Sequence, residues 1–405
     1  MTTVKMVKLG TLIKPAKLQK CGNDDYPVLS MTMHNGLVFQ SDKFKKSVAS
    51  QDKSTYKVVH RNQLVIGFPI DEGVLATQRI TDVGIVSPAY GIWDVDQTKI
   101  IPEFLEYALR CNRAIDYYKA KLRGSTARRR SLPTPTLLEL DVPLPDIEQQ
   151  RLALTTIHHA KNALDSRQAQ LTKLDELVKA RFVEMFGDML LNSLEWPEKP
   201  LEGLADIVSG ITKGRKTTET GLIEVPYMAV SNVKSGYIDW TTIKTILATK
   251  QEIEQYRLMP DDILMTEGGD PDKVGRGAII KNPLKDSIHQ NHIFRVRLDK
   301  SELLPAYFAE YLQHQKAKRY FLGCAKQTTG IASINMRQLR ALPVLIPPLP
   351  LQNQFADFVA KVDKSKLFVG SAAAHKPFDI GFFSQKHCAT PCKRGIISSK
   401  HMIFH

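Results

Sequence analysis

The chain has 405 residues, 43% of them hydrophobic and 24% charged, with Lys and Arg outnumbering Asp and Glu by 56 to 42 for a formal charge of +14 and a pI near 9.4. This length and composition predict a soluble globular protein of two or three domains, and no run approaches the roughly 18 apolar residues that would span a membrane. The basic excess favours a polyanionic partner, nucleic acid first, over a basic protein that merely tolerates a ribosome-rich cytosol.

The five cysteines, at 21, 111, 324, 388 and 392, are odd in number and mostly far apart, so a reducing cytosol is expected rather than a disulfide scaffold. The opening MTTVKMVKLG has no apolar core of the secretory kind, so no leader is expected. Residues 1–145 read as a first mixed α/β domain. The runs Tyr26-Pro27-Val28-Leu29 and Leu64-Val65-Ile66-Gly67-Phe68 look like strands punctuated by Gly, Pro and Asn. Pro102 opens a helix predicted to run through PEFLEYALRCNRAIDYYKAKL. That helix grows basic: Arg110 to Arg130 holds eight Lys or Arg and one Asp. The basic stretch ends in the loop Arg123-Gly124-Ser125-Thr126-Ala127-Arg128-Arg129-Arg130, and Leu137–Val142 then reads as a strand.

From Asp146 to Met185 there is no Gly or Pro. Ile157, Leu164, Leu171, Val178 and Met185 fall at one heptad position, and Ala160 and Leu174 at the other, which Arg167 and Arg181 interrupt. Pro143 and Pro145 before the run and Gly187 after it mark its ends. A rod of about 57 Å with one apolar stripe needs something to lie against. It is read as half of an antiparallel coiled coil between two lobes (residues 146–190), against the plainer reading of one long core helix.

After Gly187 the pattern begins again, at offsets near 200 residues. Val225-Pro226-Tyr227-Met228 echoes Tyr26-Pro27-Val28-Leu29. Asp262-Ile263-Leu264-Met265 echoes Gln63-Leu64-Val65-Ile66. Leu304-Pro305 echoes Ile101-Pro102, and Lys326-Gln327-Thr328-Thr329 sits where Arg123-Gly124-Ser125-Thr126 sat. Pro347-Pro348-Leu349-Pro350-Leu351-Gln352-Asn353-Gln354-Phe355-Ala356 matches Pro145-Asp146-Ile147-Glu148-Gln149-Gln150-Arg151-Leu152-Ala153, with one residue inserted. Each echo is weak alone, but their shared order makes an internal duplication the better account. It gives a second domain at 191–346 and the start of a second spacer helix at 347–366. That helix should place Phe355, Phe358 and Val362 on one face and continue towards residue 388. Gly370, Pro377, Gly381 and Pro391 instead interrupt a divergent tail at 367–405.

Catalytic signatures fail. Gly210-Ile211-Thr212-Lys213-Gly214-Arg215-Lys216-Thr217 misses a phosphate-binding P-loop because Arg215 stands at the second Gly. The glycine-rich run from Gly268 to Gly277 is read as a hairpin turn or as a loop that lets backbone approach a sugar-phosphate edge. His158-His159 is read as solvated, and His387, Cys388 and Cys392 fall short of a zinc site. No nucleophile elbow, HExxH helix or cofactor fingerprint is found. What remains is binding chemistry. Phosphate contact needs Lys, Arg and small hydroxyls on loops, and base-edge reading needs Arg, Lys, Asn, Gln, Ser or Thr on a rigid platform. Candidate DNA contacts are Lys121, Arg123, Ser125, Thr126, Arg128, Arg129 and Arg130 in the first lobe. In the second they are Lys213, Arg215, Lys216, Lys273, Arg276, Gln290, Asn291, His292, Lys326, Gln327 and Thr328. Expected helix-packing residues are Ile157, Leu164, Leu171, Leu174, Val178, Phe355, Phe358 and Val362.

The segments PLPDIEQQRLA and PPLPLQNQFA, each closing a lobe and opening a helix, resemble the specificity subunits of Type I restriction-modification systems. So do RFVEMFGDM and EWPEKPLEGLADIVSG, and the resemblance covers about residues 1–366. It implies an α+β fold with two target-recognition domains, each reading half of a split double-stranded DNA sequence, separated by antiparallel spacer helices. It implies methyltransferase subunits that bring S-adenosylmethionine chemistry on adenine, and a restriction subunit that brings ATP and Mg. This chain would be non-catalytic, without a cofactor or metal of its own, and cytoplasmic beside the prokaryotic nucleoid. The tail after 366 departs from the family pattern. The rival readings are a coiled-coil protein binding nucleic acid without sequence preference, and a fused methyltransferase or nuclease. The latter would need a DPPY-type segment or a PD-(D/E)xK cluster, and neither is credible here.

Overall fold

A computed structural model describes residues 4–33, 35–43, 53–122, 132–215, 220–270, 273–328 and 331–371. The chain divides into two units, one formed by Met1–Leu164 and the other starting at Asp165. The boundary falls inside the long helix rather than at its ends.

Both units follow one plan. In the first, a four-stranded antiparallel sheet runs Ile13–Pro15, Gly91–Val95, Leu64–Ile66, Leu75–Thr77. In the second, the order is Ala205–Ser209, Ile293–Leu298, Ile263–Thr266, Gly277–Ile279. In chain order each reads first, fourth, second, third. Each unit also pairs its opening strand with its closing one, Met6–Lys8 with Asp141–Pro143 and Glu198–Pro200 with Pro343–Leu345. Apolar residues alternate into a core under each main sheet: Leu64, Phe104, Leu105 and Tyr118 in one, Ile263, Val296, Tyr307 and Phe308 in the other.

The stretch opened by Pro102 is two helices, Pro102–Arg110 and Asn112–Lys121, and not one. Cys111 takes an extended conformation (ψ 158°) between them. The break re-aims the second helix so that Ala114 and Tyr118 bury in the core, with the Tyr118 hydroxyl donating to the Leu109 carbonyl at 3.1 Å. The second unit repeats the break as Pro305–Tyr311 and Gln315–Cys324. The strand expected at Leu137–Val142 is a short helix, Thr134–Leu138, followed by a strand only at Asp141–Pro143. Prolines 133 and 135 preset the φ of a first helical turn, and that outweighs the local apolar run.

The long helix spans Ile147–Phe186 and its counterpart Leu349–Ser371. A single glutamine roots each. Gln150 Oε1 accepts from the Ile101 amide at 2.8 Å, while its Nε2 donates to the carbonyls of Lys99 at 3.1 Å and Pro145 at 2.9 Å. Gln352 does the same with Leu304 at 2.8 Å, Glu302 at 3.0 Å and Pro347 at 2.8 Å. Both side chains are wholly buried. Because Pro145 pairs with Gln150 and Pro347 with Gln352, five residues apart in each copy, the one-residue insertion inferred from sequence does not lie between the proline and the glutamine. Gln352→Ala leaves an amide and two carbonyls near the core unpaired, at about 1–3 kcal/mol for each fully buried group. Chemical denaturation should show a loss of about 3 kcal/mol, and a loss under about 1 kcal/mol would remove the glutamine from this role.

The helices pack antiparallel within the second unit. Phe355 meets Phe182 and Phe186, with ring centroids 5.4 and 5.5 Å apart, and Lys366 pairs with Asp175 at 2.5 Å. Val178 and Val362 are buried, with Leu174 and Phe358 packed beside them. Arg181 breaks the heptad because its guanidinium lies over the Phe358 ring, 5.9 Å from the centroid. Ile157 and Leu171 are half-buried, but Leu164, expected in the packing seam, is 56% exposed. With residues 355 and 366 opposite 182 and 175, a helix ending at Ser371 stops short of Leu164. The second helix outruns its expected end at 366; the tail beyond 371, with His387, Cys388 and Cys392, lies outside the described residues. The first helix stops at Gly187, whose φ of +75° closes the last turn, and the Trp196 indole donates to the Phe186 carbonyl at 2.9 Å. His158, read as solvated, is exposed, with its Nε2 2.9 Å from Glu103 Oε1, and Glu103 also holds Arg79 at 2.8 Å.

Candidate nucleic-acid interface

The candidate loops of the second unit are stitched together by hydrogen bonds at one end of its main sheet. The Ser209 hydroxyl donates to the Asn291 carbonyl at 2.6 Å and the Asn291 amide to the Ile211 carbonyl at 3.0 Å, which ties the segment before Lys213 to Gln290-Asn291-His292. The Glu267 amide donates to the His292 carbonyl at 3.0 Å. Gly268–Gly269 then pairs with Ile331–Ser333, which pairs in turn with Lys326–Thr328. Four loops far apart in sequence thus form one surface, and the glycine-rich run is the connection between two sheet strands with a short strand of its own.

Glycine is required at Gly210 because an added Cβ would lie 2.0 Å from the His289 carbonyl oxygen. That glycine serves a close backbone approach within the fold, in agreement with the failed P-loop. Beneath it His289 is buried, its ring nitrogens 3.3 Å from the carbonyls of Tyr256 and Val208. Burial pushes its pKa down to about 4, so the ring is neutral at physiological pH.

The cations divide into two groups. Arg215 donates through Nε to Glu252 at 2.7 Å and through a terminal nitrogen to the same carboxylate, so its fork is occupied. Burial raises the Glu252 pKa, but hydrogen bonds from Arg215 and Thr249 outweigh it and hold the carboxyl below its ordinary value. Glu252 also caps its own helix, Lys250–Tyr256, by accepting from the Thr249 amide at 2.9 Å. Lys273 bonds Asp270 and holds that carboxyl below its ordinary value. His292 lies against Glu267. Lys213 and Lys326, by contrast, are exposed and have no acidic partner among the described residues. Arg276 is half-buried, and its Nε has no hydrogen-bond partner among the described residues. Gln290 Oε1 accepts from the Val230 amide at 3.4 Å.

In the first unit Lys121 ends its helix exposed, beside Leu122 and Glu139. Arg123, Ser125, Thr126, Arg128, Arg129, Arg130 and Lys216 lie outside the described residues, as do the side chains of Gln327 and Thr328. Sequence reading missed the acids: Glu252 and Glu267 carry no local signal of pairing, since Glu252 lies 37 residues from Arg215 and Glu267 25 from His292, whereas Asp270 pairs locally with Lys273, three residues on. No cluster of metal-ligating side chains occurs among the described residues.

Comparison with known proteins places this surface in context. Residues 193–368 match the Type I restriction modification DNA specificity domain. A protein named as the MjaX specificity subunit of a type I restriction enzyme, from Methanocaldococcus jannaschii, is 28% identical over 171 residues, 42% of this chain and 40% of that one. The EcoKI specificity subunit of Escherichia coli is 22% identical over 238 residues, 56% of this chain and 50% of its own length. The chain thus spans about half the length of the curated relatives it matches. The crystal structure of the S subunit of a Type I restriction-modification system from M. genitalium superposes with a TM-score of 0.51 at 14% identity, over 92% of this chain and 93% of that one. The two share a fold.

Proposed function

We propose, from the match of residues 193–368 to the Type I restriction modification DNA specificity domain and the likeness of this chain to specificity subunits, that it is the DNA-sequence reader of a Type I restriction-modification complex and catalyses nothing itself. The observation that carries this reading is the repetition of one strand order, one broken helix pair and one glutamine joint in two units of a single chain. A plan used twice suits a target in two parts. Each unit would read one half-site of double-stranded DNA, and the helix Ile147–Phe186 would set the gap between them. Methyltransferase and restriction subunits would dock on the scaffold and bring S-adenosylmethionine, ATP and Mg. The likeness to the family supports those partners through the proteins it contains, and a cytoplasmic setting beside the nucleoid follows from the substrate.

The exposed Lys213, Lys326 and Lys121 supply phosphate contacts, joined in this proposal by Arg123, Arg128, Arg129 and Arg130. Salt titration of binding tests it, with a duplex carrying the mapped methylation motif against a scrambled one. The specific duplex should bind at least about 10³-fold more tightly at physiological salt, and replacing Arg128, Arg129 and Arg130 with Ala should flatten the slope of log K on log salt by roughly 0.9 for each phosphate no longer neutralised. Equal affinity for the two duplexes at every salt concentration would replace sequence reading with general polyanion binding.

A further inference from the structure

On the stitched surface of the second unit, one exposed side chain has the sense of its hydrogen bonding fixed by a neighbour. The side chain of His292 is 57% exposed, and its Nδ1 lies 2.5 Å from Glu267 Oε2. A carboxylate oxygen accepts, so Nδ1 carries a proton, and whenever the ring holds only that one proton Nε2 is an acceptor. A second contact has the same sense: Asn291 Nδ2 lies 3.5 Å from that Nε2, where its N–H can donate. The arrangement is anchored from below. The Glu267 amide donates to the His292 carbonyl at 3.0 Å, and the Glu267 carbonyl accepts from Ile334 at 2.8 Å. Ring and carboxylate therefore share one rigid root at the end of the sheet.

We infer that Glu267 is a specificity-determining positioning residue, which holds His292 as a hydrogen-bond acceptor beside the Asn291 amide donor so that the pair fits the major-groove edge of adenine. This rests on the reading of the unit as a DNA reader. Adenine presents an amino donor at N6 beside an acceptor at N7, which meet Nε2 and the Asn291 N–H respectively. Guanine presents two acceptors, O6 and N7, and thymine presents O4, so each sets an acceptor against Nε2. Cytosine also offers its amino group, but the acceptor beside it is O6 of the paired guanine on the other strand, so the Asn291 N–H would have to reach across the base pair. An ordinary surface ion pair would have no bearing on which base is chosen.

The test maps adenine methylation in cells carrying the whole complex with this full chain, with Glu267→Gln, or with His292→Ala. A glutamine amide donates as well as accepts, so the second tautomer, with Nε2–H as a donor, becomes available. Glu267→Gln should turn one position of one half-site from adenine alone into adenine or guanine, with discrimination there falling roughly tenfold. His292→Ala should abolish preference at that same position. The other positions and the gap should stay as they are in both. An unchanged motif in either variant overturns the inference. Should Glu267→Gln fail to accumulate folded protein, His292→Ala, a change at an exposed side chain, decides alone. If the wild-type chain directs no methylation motif at all, the DNA-reader function falls instead, which keeps the two failures distinct.

Discussion

Phe355→Ala is expected to destabilise the second unit by about 3–5 kcal/mol, the range for removing a large aromatic ring from a packed core. The ring is fully buried and edge-on to Phe182 and Phe186, and Phe182 stacks on Tyr307 with centroids 5.4 Å apart. Truncation opens a void among side chains that belong to two helices and a sheet-covering helix, so no single neighbour can move in to fill it. The position lies three residues after Gln352, and so the loss also loosens the root of the second helix. Denaturant unfolding should show the midpoint falling sharply with little change in slope. Leu367→Ala, at a side chain 72% exposed, is the control and should stay within about 0.5 kcal/mol. Equal effects from the two would mean that the aromatic cluster does not hold the helix.

The second large effect is one of geometry. Inserting seven residues after Leu164 is expected to lengthen the gap between the two half-sites while leaving both half-site sequences unchanged. Leu164 sits in a stretch, 161–166, in which every side chain is exposed, so the insertion disturbs no packed seam. Seven residues add about 10 Å at 1.5 Å each, which corresponds to about three base pairs at 3.4 Å. They also keep the apolar stripe within about 20° of its original face, so the buried turns from Leu174 onward keep their partners. Methylation mapping reads the outcome directly. The original gap in the variant would contradict the proposed spacer role.

How much could be seen from the chain alone depended on the range of the interaction that fixed each feature. The long helix was legible, expected over 146–190 and found at Ile147–Phe186, because its signal is a repeated local period bounded by Pro and Gly. The duplication was legible because order survives where identity does not. The break at Cys111 was not, because the local sequence reads as continuous helix and only the burial of Ala114 and Tyr118 in a core built from distant strands forces the turn. The exposed Leu164 was missed because the heptad says which face is apolar but not how far a partner extends. On the candidate interface, residue types identified the loops, and the hydrogen bonds among Ser209, Asn291, Glu267 and the Gly268–Gly269 strand gathered them into one surface. Two of the carboxylates there, Glu252 and Glu267, have partners 37 and 25 residues away, while Asp270 pairs with Lys273 three residues on. A count of Lys and Arg therefore overstates the free positive charge: Arg215 and Lys273 are already engaged by acids.

The glutamine joint has an evolutionary consequence. Because Gln150 and Gln352 grip their units through the same three backbone groups, the residues they grip can change identity as long as one amide and two carbonyls stay in place. Backbone atoms are common to every residue, so the two glutamines, and not the residues they grip, are the positions at which the joint constrains the sequence.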